Sequence, residues 1–253
     1  MGKFLGGVMG NDSLFGQIMT RCGILVAANL MFILFSVPVV TAGPALCALY
    51  HVMLSVLRGR WDLNPFREFW KGFKNNFKQA LVCHLVFMAI AVLGYLDYRF
   101  LKGIAAGGET GTDFAGVMKY GVMTVLIIAG IIMIYLYPVM AAFEDTLPHL
   151  VRNAVFFAMK NPLRLIASAA TYLIPIAVTY LHVYLQPLYV FCWFFFGFSA
   201  IVMAHSSLLI RDFEKYLPSV EEPGGEQEEG VNPEEDQSRS EGKTLKDMKK
   251  MGM

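Results

Sequence analysis

Cys22–Val40 reads CGILVAANLMFILFSVPVV, and Thr41-Ala42-Gly43-Pro44 follows at once before a second apolar run reaches Leu57. Not one residue of the first run is charged. A stretch of about 20 apolar residues is what a bilayer asks of a helix, and a soluble core rarely supplies one. Working outward with a window of roughly 19 residues, six such segments emerge: Cys22–Val40, Thr41–Leu57, Ala80–Leu101, Val117–Phe143, Pro162–Tyr184 and Leu188–Ile210. The second is the shortest. The 253 residues are 56% hydrophobic and only 16% charged, with mean hydropathy +0.50, whereas soluble domains carry about a quarter charged residues. The polar exception is the end of the chain, where Arg211–Met253 holds seven basic and twelve acidic residues. These features predict an all-α, polytopic membrane protein. Its parts are an N-terminal segment (1–21), a six-span membrane domain (22–210) and an acidic tail (211–253) too poor in apolar residues to order itself.

Basic residues set the expected orientation. Arg58, Arg60, Arg67, Lys71, Lys74 and Lys78 lie between spans two and three, and Arg152, Lys160 and Arg164 between four and five. The loop between three and four is balanced. Lysine and arginine mark the cytoplasmic side, so both termini are expected inside. The first twenty residues lack a basic stretch followed by a cleavage site, so the first apolar run is expected to stay in the protein. A net charge of +1, with the basic residues confined to short loops, is not the footprint of a nucleic-acid binder.

The basic loops have helical periodicity. Phe66, Phe69, Trp70, Phe73 and Phe77 fall on one face of Asn64–Gln79, with Arg67, Lys71, Lys74 and Lys78 opposite; Asn64-Pro65 supplies an N-cap and a first-turn proline. An aromatic face backed by lysine and arginine predicts a helix in the headgroup plane, against a bilayer with anionic headgroups. A shift of 85 residues gives Val151, Ala154, Val155, Ala158 and Pro162, with Arg152 matching Arg67 and Asn161 matching Asn76. Two cytoplasmic in-plane helices, at about 64–79 and 146–160, are therefore expected. The pattern fits either a duplicated unit or two independent surface loops.

Signals for chemistry are sparse. Asn29, His51, His84 and His205 are the candidate intramembrane polar residues, and such residues are functional candidates by default. No histidine pair has metal-ligand spacing, and no nucleophile or phosphate-binding motif is present. Cys22, Cys47, Cys83 and Cys192 all lie in apolar segments without a CxxC pair and read as small buried hydrophobes. Neither a metal, a cofactor nor a catalytic residue is assigned, and the chain is expected not to be an enzyme.

Two stretches carry a family resemblance. Ser36-Val37-Pro38-Val39-Val40-Thr41-Ala42-Gly43-Pro44-Ala45 and Phe69-Trp70-Lys71-Gly72-Phe73-Lys74-Asn75-Asn76-Phe77-Lys78-Gln79-Ala80 resemble the turn and helix motifs of the YesL-like bacterial membrane proteins, domain of unknown function 624. Pro38, Thr41 and Gly43 match the turn; Phe73, Lys74, Asn76, Phe77 and Lys78 match the helix; Asn29-Leu30 matches the first span. Pro44 departs from the pattern, and the acidic tail is extra. The resemblance spans roughly residues 10–210. It implies a Gram-positive cytoplasmic-membrane protein, accessory or regulatory to oligosaccharide uptake, with an ABC permease or a sensor kinase as partner. A small-solute transporter or channel is the alternative. Residues alone give the motif turn a structural reading, with Thr41 bonding backbone freed by Pro38 and Gly43, and Asn76 capping or bridging where the in-plane helix bends into span three.

Overall fold

The computed structural model describes residues 14–105 and 112–216; the expectations for the extreme N-terminus and for the tail beyond Tyr216 lie outside the described residues. Among the described residues the chain is helical, with no strand. The main helices are α1 (Leu14–Ser36), α2 (Ala42–Leu57), α3 (Pro65–Ala105), α4 (Thr112–Ala142), α5 (Leu147–Lys160), α6 (Pro162–Leu181), α7 (Gln186–Cys192) and α8 (Phe198–Phe213). A five-residue π turn, Trp193–Gly197, joins α7 to α8. Six stretches are long and apolar enough to cross a membrane: Gly16–Ser36, Val39–Leu57, Pro65–Gly103, Val117–Ala142, Pro162–Leu181 and Gln186–Phe213. This is a multi-pass helical membrane protein.

The shortest span is the centre of the bundle. In Val39–Leu57, 67% of the most apolar window is buried, against 6% for Pro162–Leu181. Helix α2 has protein on every side, and Cys47, Tyr50, Val52 and Met53 are fully enclosed. Its C-terminus closes with a Schellman motif: the N–H of Arg60 donates to Ser55 O and that of Gly59 to Val56 O. Gly59 sits at φ 89°, where a side chain would be strained.

Helix α3 differs from expectation. Asn64 does cap it, its Oδ1 accepting the N–H groups of Phe66 (3.0 Å) and Arg67 (3.3 Å). Asn64–Gln79 is nevertheless not a separate in-plane helix, because it runs unbroken into span three as one helix of 41 residues. It lies antiparallel along α2. A Cβ on Gly72 would stand 2.8 Å from His51 Cβ, and one on Gly43 would stand 3.1 Å from Ala80 O. Eight residues back on α2 thus correspond to eight forward on α3. The aromatic face packs inward, with Phe69 and Phe73 buried against Phe35 at ring separations of 5.8 and 5.0 Å, while Phe66 and Trp70 stay exposed. Sequence periodicity identified the buried face but not what covers it. The matching segment at α5 is a separate helix, ending where Asn161 turns extended (φ −137°, ψ 91°) ahead of Pro162.

Candidate functional site

The motif turn is built differently from a Pro/Gly reverse turn. Helix α1 stops at Ser36, a short 3₁₀ turn covers Val39–Thr41, and Gly43 and Pro44 lie inside the first turn of α2. Proline suits that position because its missing N–H would have no helical partner. The Thr41 hydroxyl lies 2.6 Å from Phe35 O and 2.9 Å from Pro38 O, occupying carbonyls the chain reversal frees. Gly43 serves close approach: a Cβ there would meet His84 Cβ at 2.5 Å. His84 then completes the seam. Its Nε2 donates to Val39 O (3.1 Å), which leaves Nδ1 to accept from the Tyr137 hydroxyl (2.9 Å). Asn76 is not a cap of α3; within the continuous helix its amide donates to Gly72 O at 3.3 Å.

Toward the other end of α2, His51 lies between Glu68 Oε1 (3.2 Å) and Ala141 O (3.4 Å), and Arg60 reaches the same carboxylate at 3.3 Å. Glu68 is only 7% exposed, so these partners offset the cost of burying its charge. Beside them is a cavity of about 150 Å³ whose polar wall includes His51, Ser55, Arg58, Asn75, Asn76 and Glu144.

Asn29, fully buried, holds the first span to the last. Its Nδ2 donates to Trp193 O (3.1 Å) and Phe194 O (2.7 Å), and its Oδ1 accepts the Ser199 N–H (2.9 Å). A π turn leaves backbone groups out of the regular ladder, and one side-chain amide supplies both the donors and the acceptor they lack.

His205, fully buried, forms a cluster with residues the sequence did not single out. Its Nδ1 lies 2.6 Å from the Tyr50 hydroxyl and 3.1 Å from that of Tyr172, and the two tyrosine hydroxyls bond each other. Tyr135 meets the His205 ring edge-on at 6.2 Å. Among the described residues, His205 Nε2 and the Ser206 hydroxyl are buried without a hydrogen-bond partner. Asp212, paired with Arg164 and with Lys160 at 3.8 Å, ends the polar seam. Tyrosine in an apolar helix reads as packing, so the cluster had only His205 as a signal.

Among the described residues Asn29, His51, His84 and His205 therefore occupy four different places, each with its own hydrogen-bond partners. The exposed polar residues form a separate surface. Arg67, Lys71, Lys74 and Lys78 lie along the outer face of α3, and Arg152 is exposed on α5. Between α4 and α5, Asp145 accepts the Thr146 N–H at 2.6 Å and lies 3.2 Å from His149 Nδ1; the backbone bond, aided by His149, holds its carboxyl below the usual carboxylate range.

Residues 25–98 match the family model described as "Protein of unknown function, DUF624". The match contains both motifs that carry the YesL-like resemblance, together with α2 and most of α3. No curated protein and no solved structure matches the chain.

Proposed function

Taking the match of residues 25–98 to the DUF624 family as the premise, we propose that this membrane protein is a non-enzymatic accessory or regulatory partner of oligosaccharide uptake. It would act in the cytoplasmic membrane of a Gram-positive bacterium, with both termini inside. One observation carries the preference for an accessory role: the four candidate intramembrane polar side chains are dispersed, and each is bonded by its own neighbours. A path for a polar solute needs such groups to converge on one cavity. The exposed basic face of α3 is then the docking surface, meeting an ABC permease or a sensor kinase near anionic headgroups. The test is affinity capture of the full chain in mild detergent. A permease or kinase should accompany the native chain and be lost from Lys71→Gln/Lys74→Gln, which stays folded because both side chains are exposed. Capture of neither by the native chain would sink the reading.

The His205 cluster favours a second reading, transport of a small solute, because unpartnered polar atoms in a core are where water or a proton would lodge. Proton flux through proteoliposomes that disappears in His205→Phe would favour it over the accessory role.

A further inference from the structure

An apolar groove of about 270 Å³ runs between α3 and α4, with Val82, Val86 and Ile90 on one wall and Ile132 and Leu136 on the other. Leu147 and Val151 of α5 line the end of the groove beside α5. There the surface changes character within one helical turn. Asn75, Asn76 and Gln79 of α3 face Glu144, Asp145 and Thr146 across a polar cleft of about 580 Å³, and Gln79 ties the two walls by donating to Asp145 O at 3.1 Å. On this face the apolar-to-polar boundary lies between Gln79 and Val82 on α3 and between Thr146 and Leu147 on the other wall. Hydrocarbon ends and headgroups begin at such a boundary.

Charge discriminates among headgroups. Glu144 and Asp145 are exposed at the cleft, and Glu144 has no ion-pair partner among the described residues. Asn75 and Gln79 also line the adjoining surface that carries Lys74 and Lys78. Carboxylates on one side and ammonium groups on the other match a zwitterion. A glycerol headgroup could bring its phosphate to the same lysines, but it carries no cation to set against Glu144. We propose that this groove and cleft form a binding site for one aminophospholipid, of the phosphatidylethanolamine class. An acyl chain lies along Val82–Ile90 and Ile132–Leu136, the phosphate faces Lys78, and the ammonium faces Glu144. This occupant differs from bulk anionic lipid meeting the basic face of α3, and the inference stands whether or not a permease docks there.

The experiment is native mass spectrometry of the full chain in detergent, with equimolar phosphatidylethanolamine and phosphatidylglycerol of matched chains. The native protein should retain the ethanolamine lipid about fivefold over the glycerol lipid, the size of one solvent-exposed ion pair. Glu144→Gln should bring the ratio near one, and Glu144→Lys should reverse it. Both variants alter an exposed side chain, so unchanged melting temperature verifies the fold. Glycerophosphoethanolamine, the same headgroup without chains, should compete poorly. Equal retention of both lipids by the native chain would overturn the site. So would a preference that survives Glu144→Lys, or competition by the chain-free headgroup as strong as by the lipid.

Discussion

Asn76 and Asn161 occupy the same register of two similar amphipathic segments and have opposite fates. Asn76 is in mid-helix, its amide on Gly72 O, and α3 continues past it to Ala105. Asn161 is extended, and α5 stops there. The difference is the following residue. Phe77 accepts any backbone at Asn76 and packs on Phe73 at 5.3 Å, whereas Pro162 disfavours the α region for the residue before it. One side chain thus decides whether a basic segment is the first stretch of a span or a helix of its own. Similarity of stripe and charge is therefore not evidence of similar placement.

The comparison breaks most sharply if the two residues are exchanged. Phe77→Pro should break α3 at Asn76, costing about 3 kcal/mol or more for an interior proline, read as a lower melting temperature in detergent and new tryptic cleavage at Lys74 or Lys78. Pro162→Phe should fuse α5 to α6, seen as a spin-label distance between positions 154 and 169 that lengthens toward that of a continuous helix. An unchanged distance would show that tertiary packing, not Pro162, makes the break. Next in size is Gly43→Ala, which tests the α2–α3 seam peculiar to the first segment. The added methyl meets His84 at 2.5 Å and the Ala80 carbonyl, so about 2–3 kcal/mol of overpacking is expected in chemical or thermal unfolding. Asn29→Ala removes three hydrogen bonds, each worth about 0.6 kcal/mol between membrane helices. A loss of about 2 kcal/mol, with faster exchange of the amides near Ser199, should follow. The smallest effect belongs to Asp145, at the head of the second segment. Its folded pKa is depressed, so it stabilises above the ordinary carboxylate pKa of about 3.9 and loses that contribution as pH falls through the folded value. Asp145→Ala should lower the melting temperature slightly at pH 7 and not at all at the acid end of that window.

Legibility tracked the length scale of the signal. Spans were readable because hydropathy integrates over some twenty residues; the α3 cap was readable because Asn64-Pro65 is local. The enclosure of the short second span was not, since burial of Tyr50 and Met53 depends on which helices gather around α2. For the same reason His205 was named and its tyrosine partners, 33 and 155 residues away, were not. Gly43 read as a turn residue, because sequence records that a glycine is present without recording which neighbour needs the space.

The bonds of Asn29 to the π turn also constrain how the protein is made. A chain inserted from its N-terminus delivers Asn29 to the membrane in the first span, with its carbonyl acceptors 164 and 165 residues behind it. Until those residues are synthesised, its amide can be satisfied only by temporary partners, such as water, lipid headgroups or the insertion machinery. The wide turn in the last span likewise has no donor for its free carbonyls until the first span returns to it. Completion of the bundle therefore waits for the span that carries Trp193–Ser199, and a chain arrested before Ser199 should remain open to proteases and chaperones however many of its spans have already crossed.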